Sequence, residues 1–364
     1  MLRMYDPDWV RKIVFPRAER HPYYIYAPRY VEASAGIRVL YMLARLLNAA
    51  GELAYIVPMH AADGLDGAPE RILTAEIARQ HAAQGLTPIV VYPETVDGAP
   101  LGGGVVVRYA LNFPGHLGGA STLAADEIVL AYSRDIAARL ERSDGVLFMP
   151  VSDPDYFTPP PTPRRSGACA YLGKIVDVHG MAPDLPADVT VITRDAVDSP
   201  SRAQIREILR TRTHLYVYEN TALATEALLC GCAVVCVPNP HFTDVIARTE
   251  LGENGFAFSE DPAEIARAVA TADRFRPAYE EVLRQVGASL TAFVELTQAA
   301  AGKGGARPVN LPPENATLLD RFAAKAQKMA RSVREIGWGS TLYRMMRRLL
   351  LLPFDRRAGP DRAA

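Results

Sequence analysis

The hydrophobic and polar positions form short apolar runs that alternate with amphipathic stretches along most of the chain. In the first such unit, an apolar run at residues 23–27 leads through a loop to residues 36–50, where apolar side chains recur at helical spacing. This alternation predicts a parallel sheet with helices on its faces. In the first part of the chain we predict strands at residues 23–27, 53–57, 88–92, 105–108, 127–131 and 145–149, with a further helix at 75–83.

A proline-rich segment at residues 150–165 has no hydrophobic period and is typical of an interdomain linker. After it, a second series contains strands at 168–172, 189–193, 214–218 and 233–237 and helices at 202–210, 223–230 and 261–270. We therefore predict an α/β protein with two Rossmann-like domains, at residues 1–150 and 166–300. C-terminal helices and a basic tail are predicted at residues 307–364.

The composition narrows the class of protein. A chain of 364 residues, 49% of them hydrophobic, can bury two sizeable cores. Its formal net charge of −1 argues against a whole-protein nucleic-acid binder. The 4 cysteines have no regular spacing, so a reducing cytoplasm is expected. Residues 1–15 lack the apolar core of a signal peptide, and no apolar run approaches the roughly 20 residues that span a bilayer.

The segment from residue 215 to 237 carries the most chemistry, because it predicts a strand, a polar turn, a helix, a glycine stop and a second strand. Ligands bind at the carboxyl ends of parallel strands, where Glu219 falls. The backbone N–H groups of the helix start can hold a diphosphate, helped by the helix dipole. That start comprises Asn220, Thr221, Ala222 and Leu223. Within the helix, the carboxylate of Glu226 can accept hydrogen bonds from both hydroxyls of a ribose.

This segment resembles the donor site of retaining GT-B glycosyltransferases of the GT4 kind, the type found in bacterial surface-polysaccharide synthesis. The resemblance lies in the sequence Glu-Ala-Leu-Leu-Cys-Gly at residues 226–231, followed by an apolar strand and Pro238. It implies a GT-B fold, two Rossmann-like domains facing a cleft with C-terminal helices. It also implies that Glu226 binds ribose and that Glu219 touches the donor sugar. Six residues separate the two Glu, whereas the family places seven.

Other parts of the chain agree with this resemblance. Residues 252–258 and 261–265 resemble the Asn-Gly turn and helix start that follow the family's donor site. Lys174 follows the first strand of the second domain, where the family places a phosphate-binding Lys, and Arg194 is a second candidate cation. In the first domain, Ser34, Gly36 and Arg38 are the candidate acceptor-side residues, and His116 is the candidate histidine for the donor sugar.

Several of these residues also have a purely structural interpretation. Glu94 follows a strand and could act as a base or contact the acceptor, or it could be an ordinary loop carboxylate. His60, which follows a strand, could contact the donor sugar or be structural, and His241 could lie near the site or be structural. Cys230, Cys232 and Cys236 suggest zinc, but their place beside an apolar strand favours core packing. We predict no metal and no cofactor other than the donor itself, because the helix start and nearby cations can stabilise the leaving phosphate.

The C-terminal segment is basic and amphipathic, with Arg344, Arg347 and Arg348 among Leu, Met and Tyr side chains. Such a segment can lie on an anionic membrane surface. Alternatively, its apolar face packs on the first domain while the Arg side chains stay solvated.

These observations predict a hexosyltransferase that moves a sugar from a nucleoside diphosphate sugar to a glycan or lipid-linked acceptor in cell-surface polysaccharide biosynthesis. The protein is expected in the cytoplasm, with peripheral contact to the membrane and no nucleic-acid partner. Two alternatives remain open. One is a non-hydrolysing nucleotide-sugar epimerase, which has the same architecture, and the other is a non-catalytic glycan-binding protein that kept the fold.

Overall fold

A computed structural model describes residues 20–59, 69–113, 123–177, 179–185, 188–193, 199–305 and 309–311. Three candidate residues, His60, His116 and Arg194, lie outside these ranges. The basic C-terminal segment lies outside them as well, so its membrane interpretation and its packing interpretation both remain predictions. None of the described helices is long and apolar enough to span a membrane.

The first domain is built on a six-stranded parallel sheet with the order β2-β1-β3-β4-β5-β6. Its strands carry β-branched and aromatic side chains that are buried on both faces, as parallel sheets require. In chain order the elements are β1 (Tyr23–Ala27), α1 (Ala35–Ala49), β2 (Ala54–Pro58), α2 (Ala75–Ala83), β3 (Ile89–Pro93), β4 (Val105–Ala110), β5 (Ile128–Ala131), α3 (Arg134–Ala137) and β6 (Gly145–Val146).

The second domain has a five-stranded parallel sheet with the order β11-β10-β9-β7-β8. Local capping defines its helices: Ser201 and Gln204 form a capping box at the start of α5, and Asp261 caps α8, which has Pro262 at its first position. The elements are β7 (Ala168–Leu172), α4 (Lys174–Asp177), β8 (Thr190–Thr193), α5 (Arg202–Thr211), β9 (His214–Val217), α6 (Ala222–Leu229), β10 (Ala233–Cys236), α7 (Arg248–Leu251), β11 (Phe256–Ala257) and α8 (Pro262–Thr271).

A short 3₁₀ turn leads into α9 (Phe275–Lys303), which packs on both domains. Phe275 and Tyr279, at its start, belong to the second core, whereas Phe293, near its end, belongs to the first. There the hydroxyl of Thr297 lies 2.9 Å from that of Tyr23. The two parallel α/β sheets and this C-terminal helix confirm the predicted GT-B fold class.

The carboxyl end of α6 is fixed by two arginines from outside the helix. Arg276 donates a 3.0 Å hydrogen bond to the carbonyl of Leu229, and Arg165 donates to the carbonyl of Cys230. Gly231 then ends the helix with a φ of 79°, as its predicted role requires. Because the last carbonyls of α6 have fixed partners, the direction in which its N-terminus points is fixed too.

The glycine before β4 should tolerate no side chain. Gly104 has a φ of 70°, and a Cβ there would overlap the carbonyl oxygen of Pro88. Gly98, in the same loop, has a φ of 61° but open space around it. We expect Gly104→Ala to lower the free energy of unfolding by about 3 kcal/mol or more, whereas Gly98→Ala costs only the left-handed penalty of about 1–2 kcal/mol. Urea denaturation of both variants tests this, and equal losses would contradict it.

Candidate functional site in the interdomain cleft

The carboxyl ends of the two sheets border one cleft, which contains about 1530 Å³ of space including the part open to solvent. Most of the described candidate residues line it. From the first domain these are Ser34, Gly36 and Glu94, and from the second Lys174, Glu219, Asn220, Thr221 and Ala222. The arrangement is the one expected for open α/β sheets, where ligands bind at carboxyl strand ends.

In the second domain the strand order reverses between β7 and β9, the point where a crevice forms. Lys174 follows β7 and Glu219 follows β9, and both line the cleft at this crevice. The Oε2 atom of Glu219 accepts a 2.9 Å hydrogen bond from the backbone N–H of Ile175. This carboxylate is 5% exposed and therefore holds the first turn of α4 against the end of β9.

The N-terminus of α6 also opens on the cleft. The hydroxyl of Thr221 caps the helix by accepting a 3.3 Å bond from the N–H of Leu223, whose own side chain is in the core. The side-chain amide of Asn220 binds the carbonyl of Asp244 at 2.9 Å and the N–H of Ile246 at 2.8 Å, so it orders the neighbouring loop. The positive end of the α6 dipole thus faces the cleft beside Lys174.

Opposite it lies the N-terminus of α1. Ser34 occupies the N-cap position, and its side chain makes no capping hydrogen bond. Ser34, Ala35 and Gly36 all line the cleft. Two helix N-termini from different domains therefore border the same space, and both favour an anion there.

Arg38 and Glu226, predicted on opposite sides of the site, are paired with each other. The Nη1 atom of Arg38 lies 3.1 Å from Oε1 of Glu226 and 3.4 Å from the carbonyl of Val151. Arg38 is 5% exposed and Glu226 8%, and neither lines the cleft. The ribose role of Glu226 and the acceptor role of Arg38 remain predictions, and the structure adds an ion pair that joins α1 to α6.

Burial of this pair is costly, as the pKa of Glu226 indicates. Desolvation raises that pKa above its usual range, while the positive charge and hydrogen bond of Arg38 oppose the rise. The Nε of Arg38 is buried and has no partner among the described residues. Arg38 is therefore the group that most favours the ionised form of this carboxylate.

Glu94 stands on the first-domain wall at the end of β3. Its Oε2 atom accepts a 2.9 Å hydrogen bond from the backbone N–H of Leu111, which fixes the carboxyl group. Burial raises its pKa to about 7, although this hydrogen bond and the positive charges of Lys174 and Arg108 act in the opposite direction. The influence of Lys174 spans the two domains. A carboxyl group with this pKa can accept a proton near neutral pH.

Arg108 fixes the loop that follows Glu94. Its guanidinium is 1% exposed and forms two hydrogen bonds with the carboxylate of Glu127, at 2.8 and 3.1 Å. It also donates to the carbonyls of Val96 at 2.6 Å and Gly98 at 2.7 Å. The buried ion pair of Arg108 and Glu127 therefore fixes the position of this loop.

Cys230, Cys232 and Cys236 are buried in the core of the second domain. In the part of the chain that the structure describes, no group of His, Cys, Asp and Glu is arranged to hold a metal ion. His241 stacks on His179 with ring centroids 3.7 Å apart, beside the loop that reaches the cleft at Phe242.

Thr225 and Ser152 were missed in the sequence analysis. Thr225 lines the cleft one helical turn after Thr221, a spacing that puts both hydroxyls on one face of α6. This signal was readable from the sequence. Ser152 lies in the linker and lines the cleft beside α6, with its hydroxyl 3.5 Å from the carbonyl of Ala222. Its position depends on the path of the linker, which carries no periodic signal.

No family model matches the chain, and no curated protein matches it. Among solved structures, the glycosyltransferase SnogD from Streptomyces nogalater is 14% identical, with 86% of this chain and 100% of that chain covered and a TM-score of 0.36. Glycosyltransferase SsfS6 from Streptomyces sp. SF2575, complexed with thymidine diphosphate, is 12% identical over 77% of this chain and 100% of that chain, with a TM-score of 0.39.

Removing Arg38 should destabilise the protein in a pH-dependent way. We expect Arg38→Ala to lower the free energy of unfolding by about 3–5 kcal/mol at pH 8, because it leaves the buried Glu226 charge without a partner. A raised carboxyl pKa means that the folded state binds the proton more tightly, so stability is lost as pH rises. The loss should therefore be smaller at pH 5, as measured by urea denaturation.

The exposed pair of Arg79 and Glu76, 2.7 Å apart on α2, supplies a control. Arg79→Ala should cost less than about 1 kcal/mol at either pH. The double variant Arg38→Met, Glu226→Leu should recover most of the loss, because it removes both buried charges. An Arg38→Ala deficit no larger than that of Arg79→Ala would contradict the importance of the interdomain pair.

Proposed function

We propose that the protein is a glycosyltransferase that transfers a sugar from a nucleoside diphosphate sugar to a hydroxyl group of an acceptor. One observation carries this proposal: a single cleft has two helix N-termini and Lys174 on its border, with the fixed carboxyl group of Glu94 on the first-domain wall. The helix N-termini and Lys174 suit a diphosphate leaving group. The carboxyl group of Glu94 suits an acceptor hydroxyl.

In this proposal the diphosphate lies against the start of α6, near Thr221 and Ala222, with Lys174 beside it. These groups stabilise the negative charge that develops as the sugar leaves, which lowers the barrier without a metal ion in the reaction scheme. The hydroxyl groups of Thr221 and Thr225, on one face of α6, supply further donors. The ribose role of Glu226 rests on the sequence resemblance alone, because this carboxylate is buried against Arg38 and does not line the cleft.

Glu94 is proposed to orient the acceptor hydroxyl and to receive its proton as the oxygen attacks the anomeric carbon. Its hydrogen bond to the N–H of Leu111 keeps one oxygen occupied, so the other oxygen is the one for the acceptor. Retention of the anomeric configuration, a role in surface-polysaccharide synthesis and a cytoplasmic site at the membrane surface rest on the sequence resemblance. Proton NMR of the transfer product reads the configuration directly.

Nucleotide binding tests the donor half of the proposal. We expect UDP, GDP or dTDP to raise the melting temperature of the wild type, and Lys174→Ala to weaken the preferred nucleotide at least tenfold because a cation near the diphosphate is lost. Calorimetry measures the affinities. Lys303→Ala, an exposed lysine at the end of α9, is the matched control and should bind like the wild type. Absence of binding for all three nucleotides would reject the proposal and favour the non-catalytic alternative.

The pH profile tests the acceptor half. With a UDP- or dTDP-sugar that the protein turns over, kcat/KM for transfer or hydrolysis should rise with pH through about 7. The reason is that Glu94 must be deprotonated to accept a proton. Glu94→Gln should lose this rise and at least a hundredfold in rate, while nucleotide affinity stays unchanged. Glu76→Gln, on the exposed face of α2, is the matched control. An unaltered profile in Glu94→Gln would contradict the assignment, and epimerisation of the free nucleotide sugar without acceptor would favour the epimerase alternative.

A further inference from the structure

The first-domain wall of the cleft is apolar over most of its described length. Four of its hydrophobic side chains line the cleft and remain partly exposed: Ile37, Met59, Leu111 and Tyr132. The hydroxyl of Tyr132 points to the carbonyl of Met149 at 3.4 Å, so the ring rather than the polar atom is left for a ligand. Partly exposed apolar side chains gathered in one cleft mark a surface that gains free energy when an apolar ligand covers it.

The first-domain wall carries little charge among its described residues. Among the described residues of the first domain that line the cleft, Glu94 is the one charged side chain. Arg38, the nearest cation on α1, is withdrawn into its buried pair with Glu226. Lys174, which lines the cleft, belongs to the second domain. In the proposed function the α1 N-terminus on this wall faces the donor diphosphate, so a phosphate on the acceptor would meet Glu94 and apolar side chains, with no cationic side chain among the described residues of that wall to pair with it.

The apolar wall and the start of α6 border the same cleft, so a ligand on this wall would lie next to the donor. Leu111 also lies at the junction of the two parts of the site. Its backbone N–H holds Glu94, and its Cδ1 atom is in van der Waals range of the position a Cβ on Gly36 would take, at 3.6 Å.

Building on the proposed function, we infer that the acceptor is an uncharged alcohol with an apolar body and no phosphate group. Its apolar body covers Ile37, Met59, Leu111 and Tyr132, and its hydroxyl reaches Glu94. In the transfer, the acceptor oxygen forms a bond to the anomeric carbon while the bond from that carbon to the diphosphate oxygen breaks. The acceptor proton passes to the Glu94 carboxylate, and the nucleoside diphosphate leaves with the bonding electron pair.

A matched pair of probes tests this inference on the full-length protein. Octyl β-D-glucoside, kept below its critical micelle concentration, and methyl β-D-glucoside differ only in the alkyl chain. With the cleft saturated by the preferred nucleoside diphosphate, we expect the octyl compound to bind at least tenfold tighter by calorimetry, because its chain leaves water. Octyl phosphate, which carries the same chain and a charge, should bind at least tenfold more weakly than octyl glucoside.

The variant Leu111→Ser tests whether octyl glucoside binds on the first-domain wall, because it alters the side chain and keeps the backbone N–H that holds Glu94. It should weaken octyl glucoside at least fivefold and leave nucleotide affinity unchanged. Leu296→Ser is the matched control, because Leu296 is 38% exposed on α9 and does not line the cleft. It should bind both probes like the wild type.

The experiments distinguish a failure of the inferred acceptor class from a failure of the proposed function. If the nucleotide binds but the octyl and methyl glucosides bind equally, or if octyl phosphate binds tightest, the inferred acceptor class is wrong and the glycosyltransferase proposal stands. Octyl glucoside binding that Leu111→Ser leaves unchanged also overturns the inference. If no nucleoside diphosphate binds, the proposed function itself fails, and the inference fails with it.

Discussion

The architecture of the cleft depends on one buried ion pair between the two domains. Arg38 of α1 and Glu226 of α6 lie 188 residues apart in sequence and meet at 3.1 Å. Both are nearly inaccessible to water, so each charge would be costly without the other. Other interdomain pairs, such as Arg202 with Glu32, are more exposed and contribute less. Because the pair joins the helices whose N-termini border the cleft, it sets the distance between them.

This arrangement gives the acidic residues of the site unequal tasks. Glu219 caps the turn of α4, and Glu226 balances Arg38, so both carboxylates already stabilise the fold. Glu94 is different, because its environment raises its pKa while no described residue forms an ion pair with it at hydrogen-bond distance. A carboxyl group in that state is suited to exchanging a proton, whereas the other two are suited to holding backbone and side chains in place.

The elements of the fold were largely predictable from the sequence because they depend on local periodicity. The strand at residues 23–27 and the helix at 75–83 have the predicted bounds, and the other matched strands shift by a few residues at most. The cleft position of Lys174, Glu219 and Thr221 followed from strand ends and cap residues. The pairing of Arg38 with Glu226 was not predictable, since it depends on how two domains dock. The same holds for the contact of Glu94 with the N–H of Leu111, because a loop brings them together.

The helix α9 has a consequence for movement between the domains. The chain passes between them twice, once through the proline-rich linker and again along α9, which is anchored in the second core at Tyr279 and in the first at Phe293. Two crossings of this kind resist twisting and sliding. They leave rotation about the line that joins them as the soft degree of freedom. Opening and closing of the cleft would then be a hinge motion with one axis, and a rigid rod rather than a flexible tether would form one of its two pivots.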